Sequence, residues 1–193
     1  MSVNLSPREF ERDDIVDRVT TAMEAHGLPA GTLEVEITEN LLLNDAERVI
    51  DKVRTLRRRG VRVAIDDFGT RYSSLNYLRQ FPVSSIKIDQ SFIRSLGNDV
   101  GTAAIVSAFI GIARGFDLEL VAEGVETDVQ VATLRNLGCD TMQGYYYAQP
   151  LVAAAVQEML VAYPATLSEK IEPHRGGSGL ACNVLPLRRE VPI

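Results

Sequence analysis

Two hydrophobic rhythms alternate along most of the chain. Ile15, Val16, Val19, Ala22 and Met23 recur at helical spacing and stop at Gly27 and Pro29. "LEVEI" (33–37) then alternates apolar and charged positions, which is the period of a strand. Val49, Ile50, Val53 and Leu56 make a second helical face closed by Gly60, and "VRVAI" (61–65) is again strand-like. A short helix around Ser73 to Arg79 leads to a strand at "SIKI" (85–88). The helix through Ile105, Phe109 and Ile112 ends near Gly115 and leads to "LELVA" (118–122). Thr127 suits the cap of a helix that ends before Gly138. "TMQG" (141–144) is a short strand, and Leu151 to Leu160 reads as a last helix.

With the strand remnant near Val3, the strand candidates lie near Val3, Val35, Val63, Ile86, Leu120 and Met142. Repeated strand–helix units imply parallel strands joined by right-handed crossovers, in an open sheet or a closed barrel. From Lys170 onward Pro, Gly and mixed charge replace the periodicity, the pattern of a disordered tail.

Composition narrows the function classes. The chain has 193 residues, 46% of them hydrophobic, enough for one core and about one domain. A formal net charge of −6 argues against broad binding to duplex nucleic acid, but not against a small phosphate ligand bridged by metal ions. No apolar run is long enough to span a membrane, and no signal peptide is visible. Cys139 and Cys182 have neither metal-site spacing nor a disulfide framework, so a reduced, cytoplasmic setting is the default expectation.

The polar residues of interest share one address, the C-terminal ends of the strands. Asn4 ends the first remnant, Glu36 and Glu39 the second strand, and Asp66 and Asp67 the third. Lys87 and Asp89 end the fourth, two residues apart and so on one side of it. Glu123 and Glu126 follow the fifth, and Gln143 ends the sixth. A single acid after a strand is most often a helix cap. Five consecutive strand ends form a ring of oxygen donors, suited to Mg²⁺, Mn²⁺ or Ca²⁺. Two adjacent aspartates after a buried strand repel each other unless a cation lies beside them. His26 and His174 sit away from this ring, which argues against a His-based nucleophilic triad. Acid–base work then falls to carboxylates, Lys87 or metal-bound water. The toolkit suits two-metal phosphodiester hydrolysis, and also another Mg²⁺-dependent barrel enzyme, such as one that stabilises an enolate. Lys87 alone suits a Schiff base, but the acids around it favour a charged ammonium.

"VNLSPREF" (3–10), "LEVEITEN" (33–40), "AIDDFGTRYSSLNYLRQFPVSSIKIDQSF" (64–92), "VAEGVET" (121–127) and "LGCDTMQGYYYAQP" (137–150) resemble the EAL domain in order and spacing. That family contains bacterial cyclic-di-GMP phosphodiesterases built on a modified TIM barrel. The resemblance implies that Asn4, Glu36, Asp66, Asp67, Asp89 and Glu123 hold divalent metals, Mg²⁺ or Mn²⁺, or their waters. By the same resemblance Glu123 is the general base, and Lys87 orients the water and neutralises charge. Glu39 anchors the loop after Asp67, and Glu126 and Gln143 lie beside the ligands or the substrate. In the family, water opens one phosphodiester bond of the cyclic dinucleotide to give the linear form.

The sequence departs from that pattern in two places. It contains no Glu-Ala-Leu triplet and no strand before Val3. An eight-stranded barrel needs two more strands and typically about 250 residues. The expectation is an α/β fold: an incomplete TIM-type barrel of about six strands over residues 1–165, followed by a disordered tail over 166–193. On that expectation the chain's hydrolysis of cyclic-di-GMP is impaired, or the chain serves as a non-catalytic nucleotide- or protein-binding regulatory module. Uncovered sheet edges also predict self-association or a homodimer. The second departure is Arg71, where the family usually has glycine; a positive φ there would strain the loop.

Overall fold

The computed structural model describes residues 1–43, 46–70, 78–97 and 99–166. Among these, six parallel strands form one sheet in sequence order: β1 (Ser2–Leu5), β2 (Glu34–Thr38), β3 (Arg62–Phe68), β4 (Ser85–Ile88), β5 (Glu119–Glu123) and β6 (Thr141–Gln143). With its helices the sheet makes a partial α/β barrel; the pattern alone leaves an open sheet and a barrel as alternatives, and the family resemblance implies the barrel. The helices are α1 (Pro7–Glu11), α2 (Ile15–Ala25), α3 (Ala46–Arg58), α4 (Gln90–Arg94), α5 (Val100–Gly115), α6 (Asp128–Leu137) and α7 (Ala153–Thr166). A 3-10 turn, Glu39–Leu43, follows β2.

Strand alternation sorts the side chains. Val35, Ile37, Val63, Ile65 and Ile86 are buried in one apolar cluster with Val49, Ile50, Val53 and Leu56 of α3. Ile88, Ala122 and Met142 join a second cluster with Val106 and Ile110 of α5 and Val131 and Leu134 of α6. Phe109 and Leu120 pack against both. The residues between these positions, on the opposite side of the sheet, are mostly polar. In register, Ser2 pairs with Glu34 and Glu34 with Arg62; Asn4 pairs with Glu36 and Glu123 with Gln143.

Helix ends follow the sequence signals. Thr127 accepts from the Gln130 N–H at 3.2 Å in a capping box, and Gly138 closes α6 at φ 84°. Ser6 and Glu9 make a second capping box on α1, an element with too few turns to show periodicity. Lys52 of α3 donates to the carbonyls of Phe10, Glu11 and Arg12 at 2.8, 3.0 and 2.7 Å, satisfying the end of α1. The last helix runs to Thr166, six residues beyond the predicted Leu160. Arg71, the start of the helix expected from Ser73, and the tail beyond Thr166 lie outside the described residues.

Candidate functional site

The third strand departs from regular pairing where its two acids sit. Ile65 pairs with Ile86, but the next match is Phe68 with Ile88. Three steps on β3 therefore face two on β4, which is a bulge of one residue. In a regular strand Asp66 and Asp67 would point to opposite sides. Here Asp67 takes φ 55°, the left-handed region that aspartate tolerates better than most residues. The Asp67 N–H donates to Asp66 Oδ1 at 3.0 Å. Each of Asp66, Asp67 and Glu123 then offers a carboxylate oxygen within 4.8 Å of the others.

Neighbouring strands complete the group. Lys87 has no exposed side-chain surface, and its Nζ lies 2.7 Å from Glu36 Oε1 and 2.5 Å from Glu123 Oε1. Burial works against the charge on Lys87 and is the largest single influence on it. The carboxylates of Glu123, Glu36 and Asp66 together outweigh burial, so its pKa is raised and it stays an ammonium. The Asn4 amide oxygen faces Asp66 Oδ2 and Glu36 Oε2; with the amide reversed, its nitrogen would donate to them at 3.2 and 3.0 Å. Three acceptors turned on one another are tolerable only around a cation or after that reversal. The donors are carboxylates and a carboxamide, with neither thiolate nor imidazole, so the residues fit a hard divalent cation.

The remaining predicted residues lie at or just beyond the ends of the strands. Glu39 Oε2 accepts from the Gly69 N–H at 3.2 Å, tying the turn after β2 to the turn after β3. Asp89 caps α4, accepting from the Ser91 N–H at 2.9 Å, which is the ordinary use of an acid after a strand. Glu126 is exposed just beyond β5. Gln143 is half-buried at the end of β6, and its carbonyl accepts from the Val125 N–H at 3.1 Å. Among the described residues, the cluster of three carboxylates does not include Asp89 or Glu126.

Sequence reasoning missed Gln130. It is buried, accepts from the N–H groups of Glu126 and Thr127 at 2.7 and 3.0 Å, and donates to Ile93 O at 3.1 Å. It thereby fixes the turn that follows Glu123. The capping-box spacing from Thr127 to Gln130 is its signal in the sequence.

The EAL domain profile matches residues 1–150. The chain belongs to the EAL domain family. Among relatives of this EAL chain, the cyclic di-GMP phosphodiesterase NbdA of Pseudomonas aeruginosa is 42% identical over 163 residues, 84% of the chain and 21% of NbdA. The bifunctional diguanylate cyclase/cyclic di-GMP phosphodiesterase MucR of the same organism is 42% identical over 153 residues, 79% of the chain and 22% of MucR. The chain thus spans about a fifth of the length of these curated relatives. The EAL domain of Mycobacterium smegmatis DcpA superposes with a TM-score of 0.80 at 41% identity, covering 83% of this chain and 72% of that one. The MucR phosphodiesterase in complex with c-di-GMP superposes with a TM-score of 0.77 at 42% identity, covering 80% and 63%. Among the described residues, no helix is long and apolar enough to cross a membrane.

Proposed function

We propose that this EAL chain carries most of a metal-dependent site for hydrolysis of cyclic-di-GMP, and that the 193 residues taken alone hydrolyse it poorly. The observation that carries the reading is the gathering of Asp66, Asp67 and Glu123 within 4.8 Å beside the buried Lys87. Asp66, Asp67, Glu36, Asn4 and Glu123 would hold Mg²⁺ or Mn²⁺, and Asp89, which follows β4, is the further ligand that the family resemblance implies. A divalent cation held by these residues would polarise a phosphodiester and acidify a water. Glu123 receives the proton of the attacking water, and Lys87 holds the Glu123 carboxylate in place while balancing its charge. Glu39 keeps the Asp67 turn in position through Gly69. Relatives that act on cyclic-di-GMP, and a superposable structure that binds it, support the choice of substrate.

Impairment is proposed because the sequence lacks the Glu-Ala-Leu strand, and the described sheet has six strands where a full barrel of this type has about eight. A bare chain turning over cyclic-di-GMP with Mn²⁺ at about 1 s⁻¹ or faster would defeat that part of the reading. The site itself is tested by fusing the two missing strands from a family member. The fused domain is expected to form the linear dinucleotide, and Glu123→Gln to abolish turnover while leaving nucleotide binding nearly unchanged. If the fused domain folds and binds the cyclic dinucleotide but makes no linear product, the non-catalytic binding-module reading replaces this one.

A further inference from the structure

We propose that Phe109, on the helix α5 outside the sheet, is a positioning residue for the Asp67 carboxylate, acting through Phe68 and Gly69. A non-glycine residue at φ 55° is held against its preference. Such a conformation persists only where the surroundings over-determine it. On the site side the Glu39 carboxylate accepts from the Gly69 N–H, and the Thr70 hydroxyl donates to Asp67 O at 3.0 Å.

On the other side the turn rests on two rings. A Cβ built on Gly69, itself at φ 94°, would lie 2.6 Å from Phe109 Cζ and 3.1 Å from Phe92 Cε2. Any side chain at position 69 would have to push these rings aside. Phe109 also meets Phe68 edge to face, with centroids 5.3 Å apart at 72°, and meets Phe92 at 5.4 Å and 90°. Residues 68 and 69, immediately after Asp67, are therefore both pressed on by one side chain. That side chain packs against both apolar clusters, so its place is set by the whole helix layer. Aspartate 67 is clamped between a hydrogen bond on the rim and an aromatic floor beneath. Removing the floor frees the turn to relax towards negative φ, which would carry the carboxylate away from Asp66 and Glu123.

This inference rests on the metal-site reading above, so the test has two arms that separate them. In the first, Mn²⁺ binding to the full 193-residue chain is followed by electron paramagnetic resonance. Phe109→Leu keeps an apolar side chain but loses the ring edge, and is expected to weaken Mn²⁺ about tenfold, the usual scale for a group that orients a ligand. Phe109→Tyr places a hydroxyl against Gly69 and is expected to weaken it as well. Val106→Ala, buried on the same helix, is a matched stability control and is expected to bind within twofold of the parent chain. In the second arm, amide exchange is followed without metal. Phe109→Leu is expected to speed exchange of the Gly69 N–H about tenfold relative to amides of β4, whereas Val106→Ala changes both alike. Should Phe109→Leu fail to fold, Phe92→Leu removes the neighbouring ring and is expected to act in the same direction. If the parent chain binds no Mn²⁺, the metal-site reading falls and the exchange arm still decides the role of Phe109. Unchanged Gly69 exchange, or Mn²⁺ affinity no lower than in Val106→Ala, overturns the proposal.

Discussion

The same strands end in two polar regions that use charge in opposite ways. At their N-terminal ends, Ser2 and Ser85 donate to Glu34 at 3.1 and 2.9 Å, and Arg62 lies between Glu34, at 3.1 Å, and Glu119. Thr141 donates to Glu119 at 3.2 Å. One cation serves two acids, hydroxyls fill the remaining acceptor sites, and all six strands take part. At the C-terminal ends one ammonium, Lys87, stands among Glu36, Asp66, Asp67 and Glu123. The lower region sets one cation against two acids and joins strands; the upper one sets one cation against four acids, a larger negative surplus that a bound cation would offset. In barrels of this type the C-terminal face carries chemistry and the N-terminal face stability, and the two charge patterns divide along that line.

Exchanging the cations should expose the difference. Lys87→Met leaves Glu36 and Glu123 buried together without a counter-charge, which is expected to cost about 3–5 kcal/mol in denaturant unfolding. Added Mn²⁺ should recover part of the loss, because a cation then replaces the missing ammonium. Arg62→Met is expected to cost about 1–3 kcal/mol, less because about a third of the Arg62 side chain meets solvent. Mn²⁺ should recover nothing there, and Mn²⁺ affinity should stay within about twofold of the parent chain. Equal rescue of both variants would erase the proposed division.

A further effect, confined to alkaline pH, is a pH slope near the lower end, at Cys139. Burial pushes its thiol from an ordinary 9.0 up to about 12. Between those values the unfolded chain has lost a proton that the folded chain keeps. The contribution is therefore fully present below pH 9.0 and fades as pH rises towards about 12. Unfolding titrations should show a slope of at most about 1.4 kcal/mol per pH unit in that window, reduced in Cys139→Ala.

Most of the sheet was legible because the alternation in "LEVEI", "VRVAI" and "SIKI" marks which side of each strand is apolar. The positions of Asn4, Glu36, Lys87, Glu123 and Gln143 towards the ends of their strand patterns place them at one end of a parallel sheet. The short helices α1 and α4 and the 3-10 turn were not legible, since five residues are too few for a helical period to emerge. The lower charge network was also missed. Glu34, Arg62 and Glu119 lie in three different strands, and only the register brings them together. Phe109 read as one more apolar position on a helix; that its ring lies beneath Gly69 depends on helix–sheet packing. Asp89 shows the limit of motif reading, because the acid serves as a helix cap and its place in a ligand set is not visible from its position alone.

The bulge in β3 makes chain length, as well as residue identity, a determinant of the site. Substituting either aspartate alters one group and leaves the pairing of its neighbours intact. The residues between Ile65 and Phe68 are Asp66 and Asp67 themselves, so deleting either one removes an acid and at the same time restores even pairing with β4, straightening the turn that aims the other. A substitution at either position therefore costs one carboxylate, whereas the loss of either codon costs a carboxylate and the bulge together.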